Sequence, residues 1–338
     1  MDMNRWMNNI IKADERFSLP IMTHPGIELT GHSIRQAVQD GNVHARAIRA
    51  LSERFPAVAL TTMMDLTVEA EAFGCTITFP ENDMPHIVGR LMDSVSVEQL
   101  EIPDLSSGRI PEYLTAIRLT GEFVLDKPTF AGVIGPFTLA GRLYGMSEIM
   151  VDCYLEPAPI HLLLSKCTEF ILAYCAEMKR IGSPGVIMAE PAAGLLSDED
   201  CLQFSSVYIK RIVEALQDDS FLLVLHNCGN SGQCTHAMLQ TGANAYHFGN
   251  AISMVDALKA CPADVLVLGN VDPVGILKMK QPKEIKQAVS GLLQQTECFP
   301  NFVLSTGCDV PPLVPLENIQ AFYDALFEFN QKSGLSHE

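Results

Sequence analysis

The sequence lacks any long uninterrupted apolar run, and its basic residues are far outnumbered by acidic ones. No run approaches the roughly 18 residues that a membrane-spanning helix needs. The chain has 23 Lys and Arg against 40 Asp and Glu, a formal net charge of −17. Phosphate contacts need a basic face, so this charge argues against a nucleic-acid partner and disfavours an anionic membrane surface. The first residues are too polar for a secretory signal, and we therefore expect a cytoplasmic protein.

The sequence also lacks a glycine-rich G-x-G-x-x-G motif after an early strand, which removes the main support for a dinucleotide-binding sheet. Instead, short β-rich runs alternate with stretches whose apolar residues have helical spacing. This alternation predicts parallel strands joined through βαβ units. The predicted strands are 20–23, 57–62, 73–79, 129–134, 185–189, 221–226, 243–248, 265–269 and 302–305.

The length of 338 residues allows two average domains or one large barrel. The predicted strands are nearly all apolar, as in the run FLLVL at 221–225, which is typical of strands buried on both faces. We therefore predict an α/β protein, a single (β/α)8 TIM barrel with extra N-terminal helices, as one domain over 1–338. A doubly wound open sheet is the alternative.

The ten cysteines are scattered through the chain and, in a cytoplasmic protein, stay reduced. Each is then a packed apolar residue, a metal ligand or a nucleophile. In a barrel, functional residues lie where strands end and βα loops begin. His226 and Cys228 lie at one such end, two residues apart, so that in extended backbone their side chains project to the same side. Cys308 follows a later predicted strand.

One nitrogen and two sulfur ligands suit Zn²⁺ with an open fourth position, which is the composition of a catalytic zinc site. The alternative is that His226 pairs with a carboxylate while Cys228 and Cys308 are packed thiols. A zinc ion with an open position can activate a thiol or a water. Water would need a general base, and Glu190 and Asp309, which follow two other predicted strands, are the candidates. The residues alone do not choose between the two substrates.

Three motifs carry a family resemblance over most of the chain. The segment GVIGPFTLA at 132–140 contains a glycine-proline-aromatic-threonine-leucine signature. The segments GNVDP at 269–273 and GCDVPP at 307–312 come later, the second followed by PLENI at 315–319. Together they resemble the uroporphyrinogen decarboxylase superfamily.

The resemblance implies one of two activities. One branch decarboxylates uroporphyrinogen without metal or cofactor. The other comprises cobamide-dependent methyltransferases, including methylcobamide:coenzyme M methyltransferases, which bind zinc through a His-x-Cys…Cys set. His226, Cys228 and Cys308 match that set, and the segment 64–74 resembles the methyltransferase version. The decarboxylase carries paired arginines for its polycarboxylate substrate, whereas the matching segment 19–27 has no arginine.

Four further site predictions follow from position. His24, Asp65 and Asn270 are predicted to contact substrate. Alternatively, His24 is a core histidine, Asp65 belongs to an acidic helix start, and Asn270 is a turn residue before Pro273. Glu190 is predicted to act in catalysis as a fourth zinc ligand, a partner of His226 or a base.

The resemblance thus implies a zinc-dependent methyltransferase. Zinc would hold a small thiol such as coenzyme M as the thiolate, which attacks the methyl group of a methylated corrinoid. The methylcorrinoid would arrive on a separate corrinoid carrier protein, since no second domain is predicted to hold it. The alternatives are a non-catalytic thiol-binding zinc protein and a metal-free lyase.

Overall fold

The structure, a computed structural model, describes residues 1–335 of the chain. Seven of its strands form one curved parallel sheet in the order β1-β4-β5-β6-β7-β8-β9, and β2 and β3 form a separate antiparallel pair. The strands are β1 Leu60–Thr61, β2 Thr76–Thr78, β3 His86–Val88, β4 Thr129–Ile134, β5 Gly185–Ala189, β6 Leu222–Asn227, β7 Ala245–Phe248, β8 Leu266–Val271 and β9 Phe302–Thr306.

The segment around Ser18 and Leu19 closes this sheet between β9 and β1. Leu19 N donates to Leu304 O at 2.9 Å, and on its other side Val58 N donates to Ser18 O at 2.9 Å. Ser18 and Leu304 form a parallel bridge. An irregular segment therefore takes the eighth position, and the sheet forms the predicted barrel.

Helices surround the barrel, and the four that precede β1 agree with the predicted extra N-terminal helices. Short turns of 3₁₀- or π-helix lie at Leu91–Asp93, Pro191–Leu195, Leu202–Ser206 and Pro273–Lys278. The α-helices are α1 Met3–Lys12, α2 His24–Leu29, α3 Ile34–Gln39, α4 Gly41–Arg54, α5 Val68–Ala72, α6 Ile110–Phe123, α7 Pro136–Tyr144, α8 Met146–Leu155, α9 Pro157–Arg180, α10 Asp198–Cys201, α11 Val207–Leu216, α12 Thr235–Leu239, α13 Met254–Ala260, α14 Pro282–Gln295 and α15 Leu316–Leu335.

The barrel has an inner and an outer apolar layer. Inward-facing side chains such as Phe130, Ile187 and Val303 form the inner cluster, which α1 joins through buried Met3 and Met7. Since Met3 N donates to the carbonyl of Asp219, just before β6, α1 covers the amino-terminal end of the barrel. The carboxyl-terminal end, where barrel enzymes place their chemistry, lies opposite α1.

The chain departs from a simple repeat of strand and helix after β1. The predicted strand 73–79 contributes β2 to the small antiparallel sheet and not to the barrel. No helix among residues 1–335 has both the length and the apolar character that crossing a membrane requires. A single domain over the whole of 1–338 stays a prediction.

Candidate active site

The structure brings together the three residues predicted as zinc ligands. His226 is the next-to-last residue of β6, and Cys228 directly follows that strand. Cys308 lies two residues after the end of β9. One ligand atom from each side chain lies within 4.8 Å of the other two. Residues 80 positions apart in sequence thus meet because both strands end at the same face of the barrel.

A chain of hydrogen bonds fixes the orientation of the His226 ring. Ser305 Oγ lies 2.6 Å from the carbonyl oxygen of Leu19 and donates its proton there. Ser305 Oγ therefore accepts from His247 Nε2 at 2.8 Å. Burial, and then the neighbouring His226, lower the pKa of His247 well below its usual value, so its ring is neutral and Nδ1 has no proton. His226 Nδ1 accordingly donates to His247 Nδ1 at 2.7 Å.

This chain leaves His226 Nε2 as a bare lone pair beside the two cysteines. Nε2 is buried and has no hydrogen-bond partner among the described residues. A buried polar atom without a partner is costly, and a metal ion would satisfy it. One imidazole nitrogen and two sulfurs are ligands that zinc accepts, with a fourth position left for substrate. The residues present therefore fit zinc.

The two thiols influence each other's protonation. A hydrogen bond from Cys308 to the Cys228 sulfur lowers the pKa of Cys228 and raises the pKa of Cys308. Neither residue is fully buried, unlike most of the other cysteines. Cys228 is thus the thiol that ionises first as a metal approaches.

Two glycines allow the backbones around the cysteines to pack closely. A Cβ on Gly249 would lie 2.7 Å from Cys228 Cα, and a Cβ on Gly307 would lie 2.7 Å from Asn250 N. Both separations are too short for any side chain. The loop after β7 therefore lies between the two cysteine-bearing loops and sets their spacing.

A small chamber of about 70 Å³ opens at the three ligands. The ligands and Asp309 form its polar side, and its apolar wall consists of Ile21, Met64, Leu66, Ala189 and Pro191. An apolar wall limits the access of water and strengthens electrostatic interactions inside. The chamber has room for a sulfur-bearing group but not for a macrocycle.

Asp309, predicted as a catalytic base, lines this chamber beside Cys308. Its Oδ1 is buried without a hydrogen-bond partner, while Oδ2 lies 3.6 Å from His24 Nδ1. Burial raises the pKa of Asp309 to about 6, although the neighbouring His24 opposes the shift. His24, predicted to contact substrate, lies behind Asp309, with Nδ1 3.1 Å from Val310 O and Nε2 3.1 Å from Met84 Sδ.

Glu190 is buried, but its carboxylate lies at the amino-terminal end of α7. Its Oε1 accepts from Phe137 N at 2.7 Å and from Ser205 Oγ at 2.9 Å, and Oε2 accepts from Thr138 N at 2.9 Å. Burial raises the pKa of Glu190, and these hydrogen bonds oppose the rise. The carboxylate thus accepts hydrogen bonds from the amides at the start of α7, which have no partner within the helix, and Glu190 is not among the residues that line the chamber.

Both carboxylate oxygens of Asp65 also accept hydrogen bonds from other residues of the protein. Its Oδ2 accepts from Arg109 Nη1 at 2.5 Å and from Tyr113 OH at 3.0 Å. Its Oδ1 accepts from Thr67 N at 3.0 Å and from Thr67 Oγ1 at 2.7 Å. Asp65 therefore anchors the backbone between two residues of the chamber wall, Met64 and Leu66.

Asn270 holds the loop that separates the cysteines. Its Nδ2 donates to Gly249 O at 2.8 Å and to Ile252 O at 2.7 Å. Through Gly249 it is connected to the backbone of Cys228. The side-chain amide of Asn270 thus contacts the loop that packs against Cys228.

The sequence reasoning missed the two residues that orient His226. Neither His247 nor Ser305 is among the site residues predicted from the sequence. The missed signal is register: β6 and β7 are neighbours, with His226 opposite His247. Aligning the predicted strands at their carboxyl ends would have brought the two rings together.

Comparison with known proteins assigns the chain to a family. The sequence model of the family described as uroporphyrinogen decarboxylase (URO-D) matches residues 21–329. The chain belongs to the uroporphyrinogen decarboxylase family. The resemblance stated from its motifs is confirmed.

Relatives within the uroporphyrinogen decarboxylase family are enzymes of two kinds. The chain is 28% identical over 270 residues to a methylcobamide:CoM methyltransferase, MtbA of Methanosarcina acetivorans, covering 78% of this chain and 77% of that protein. It is 28% identical over 292 residues to a uroporphyrinogen decarboxylase of Aliivibrio salmonicida, covering 82% of this chain and 81% of that protein. Equal identity to both kinds leaves the activity to be argued from the site.

A solved structure supports the barrel. A methyltransferase from Methanosarcina mazei superposes with a TM-score of 0.87 at 24% identity, covering 97% of this chain and 99% of that one. At this identity the match establishes the fold, and the predicted barrel with N-terminal helices is confirmed.

The ligand assignment predicts the metal content. We expect about one zinc per chain, and we expect Cys228→Ala and Cys308→Ala each to lose most of it because only two ligands remain. The fold should survive, since the apolar layers stabilise the barrel. Elemental analysis measures zinc, and circular dichroism measures folding. Cys298→Ala, at an exposed cysteine, should keep its zinc; full zinc in both ligand variants would show the assignment to be wrong.

The hydrogen-bond chain predicts an indirect effect at His247. His247→Phe removes the acceptor that orients His226, and we expect zinc affinity to fall about 10- to 100-fold. Competition with a chromophoric chelator measures the affinity. His86→Gln, at an exposed histidine, is the control. Unchanged affinity in His247→Phe would mean that the Nδ1 contact does not orient the ligand.

The contacts of Glu190 predict a loss of stability without loss of metal. Glu190→Ala leaves two helix amides and one hydroxyl unpaired, and we expect the free energy of unfolding to fall by about 1–3 kcal/mol. Urea denaturation measures this change, with Glu199→Ala, at an exposed carboxylate, as control. Lost zinc at unchanged stability would instead identify Glu190 as a ligand.

Proposed function

We propose that the chain is a methyltransferase that moves a methyl group from a methylated corrinoid to a small thiol such as coenzyme M. The observation that carries this proposal is the set of His226, Cys228 and Cys308, with the imidazole oriented so that a bare Nε2 faces two sulfurs. A relative named as a methylcobamide:CoM methyltransferase supports the choice of substrates.

The decarboxylase alternative has less support from the residues. The segment 19–27, which we matched to the arginine-bearing motif of the decarboxylase, has no arginine. Its residues close the barrel and begin α2, and Leu19, Ile21 and Met22 are buried. A polycarboxylate would also meet a chain with a formal charge of −17. A pair of neighbouring thiols has no evident role in a metal-free decarboxylation.

His226, Cys228 and Cys308 would hold the zinc. Bound there, zinc would favour the thiolate form of the acceptor, because coordination removes a thiol proton. We propose that Asp309, which lines the chamber, accepts this proton on its unpaired Oδ1, which belongs to a carboxyl with a raised pKa. The apolar wall then keeps water away from the sulfur during attack on the methyl group.

The remaining site residues have positioning roles in this proposal. His24 holds Asp309 from behind, Asp65 fixes the wall of the chamber, and Asn270 fixes the loop beside Cys228. We propose that Glu190 acts in the same way, by fixing the start of α7 against β5. Each contributes by holding the reacting groups in line.

The size of the chamber bears on the methyl donor. A volume of about 70 Å³ excludes a corrinoid ring, so the donor must approach from outside, at the carboxyl-terminal end of the barrel. We therefore propose a separate corrinoid carrier protein as the partner. A cytoplasmic location, where thiols stay reduced, suits both the cysteines and the thiol substrate.

Methyl transfer is tested directly with purified, zinc-loaded protein. We expect methylcobalamin to be demethylated when coenzyme M is supplied, at a slow rate because the carrier protein is missing, and uroporphyrinogen to remain unchanged. The absorbance of the corrinoid and chromatography of the porphyrins measure the two reactions. Decarboxylation of uroporphyrinogen would contradict the proposed branch.

Proton release tests how the thiol binds. A free thiol with a pKa of about 8.5 is mostly protonated at pH 7, so binding as a thiolate should release close to one proton. Calorimetry in buffers of different ionisation enthalpy counts the protons that reach solvent. In the wild-type protein Asp309 can retain part of this proton, and Asp309→Asn should release the full count. Binding without proton release in both proteins would exclude the thiolate.

A further inference from the structure

A larger cleft lies beside the metal-site chamber at the same end of the barrel. Its volume is about 490 Å³, and Thr138 and Arg142 of α7, Arg90 and Pro191 are among its lining residues. Pro191 also lines the chamber, so the two spaces share a wall. The cleft and the chamber therefore lie on two sides of Pro191.

The two arginines of this cleft differ in their partners. Arg90 forms ion pairs with Glu148 and, through Nη2 at 2.8 Å, with Asp93. Arg142 forms no hydrogen bond or ion pair with any described residue, although the side chain is accessible from the cleft. In a chain with 40 acidic residues, a cleft cation without a carboxylate partner is available for an external anion.

Electrostatics favours an anion at this position. Arg142 is exposed in the cleft, but the protein atoms around its guanidinium partly desolvate it and lower its pKa, and the Asp65 charge offsets part of this shift. A guanidinium remains charged at neutral pH in any case. A partly desolvated guanidinium gains most from a planar or tetrahedral oxyanion that accepts two of its N–H groups. Over the rest of the acidic surface, an anionic ligand is repelled.

We propose that Arg142 binds the anionic end of the acceptor thiol, a sulfonate or carboxylate, and so selects anionic thiols over neutral ones. This inference rests on the proposed function. The thiol end enters the chamber beside Cys228 and Cys308, and the anionic end stays in the cleft. An oxyanion of the corrinoid, its nucleotide phosphate, has the same chemistry and is the competing source.

The first experiment compares thiols of different charge with methylcobalamin as donor. We expect Arg142→Gln to raise KM for 2-mercaptoethanesulfonate about 10- to 100-fold, with little change in kcat and little change in KM for 2-mercaptoethanol. Arg142→Lys should recover part of the loss. Equal changes for both thiols would overturn the proposal.

Arg5→Gln is a matched control because it removes the same charge. Arg5 is exposed on α1, at the opposite end of the barrel, and its side chain has no partner in the described structure. Its KM values should stay at those of the wild-type protein. A similar rise in Arg5→Gln would mean that net charge, and not the cleft, determines selectivity, which would also overturn the proposal.

The second arm distinguishes the two sources of the oxyanion. Methylcobinamide lacks the nucleotide phosphate of methylcobalamin. We expect the effect of Arg142→Gln on the sulfonate thiol to persist with methylcobinamide. If the effect disappeared with this donor, the anion would belong to the corrinoid and the proposal would be wrong.

A third measurement does not depend on zinc or methyl transfer. Ethanesulfonate has no thiol, and its binding to metal-free protein is measured by calorimetry, with neutral ethanesulfonamide as reference. We expect ethanesulfonate to bind the wild-type protein more tightly than Arg142→Gln. Equal binding by the two proteins would refute the anion site, whereas absent thiol methylation with normal sulfonate binding would refute only the proposed function.

Discussion

The hydrogen bond between His226 and His247 is the contact on which the site depends most. It connects neighbouring strands inside the barrel, and Ser305 of β9 and Leu19 of the closing segment extend it. The same four residues therefore join the last strand to the first part of the barrel and determine which nitrogen of His226 is bare. The hydrogen bonds that help to close the barrel also orient the His226 ring. A substitution that breaks one of them would therefore affect both.

Charged side chains are also buried near the wall of the site, and they differ in whether a cation pairs with them. Arg109 pairs with Asp65 and, through Nε at 2.5 Å, with Glu71, and its guanidinium lies 4.8 Å from the centre of the Phe79 ring. Glu69 lies nearby without such a partner, and burial raises its pKa to about 7. A buried carboxylate is retained as a charge where a cation and hydroxyls satisfy it, and otherwise tends to hold its proton. Arg109 therefore offsets one of its two carboxylate partners, and Glu69 keeps part of its proton at neutral pH.

The sequence predicted the central strands because they are buried on both faces. The predicted runs 129–134 and 185–189 coincide with β4 and β5, where apolar residues continue without a break. The closing segment was harder, since Pro20 cannot donate a ladder hydrogen bond and the segment makes only part of a strand. In the run 73–79, threonine alternates with apolar residues over 76–79, and this part pairs with β3 outside the barrel.

The site was predictable to the extent that strand ends show it. Spacing and residue type were enough to group His226, Cys228 and Cys308, because all barrel strands present their carboxyl ends to one face. The direction of each carboxylate was not predictable. Glu190 and Asp309 both follow strands, yet one turns to the amides of α7 and the other faces the chamber. That choice depends on which unpaired backbone groups lie within reach, and this is a property of packing between elements.

The residues that identify the family are not the residues that indicate the reaction. The chain shares 28% identity with both a methyltransferase and a decarboxylase, and the shared motif at 132–140 forms β4 and the start of α7. Those residues build the barrel and the helix start that Glu190 binds, which both reactions can use. Thiols at 228 and 308 are of use only where a metal or a nucleophile is needed. A fold can be inherited without its chemistry, so the thiol pair and the imidazole that faces it outweigh the overall identity as grounds for assigning the reaction.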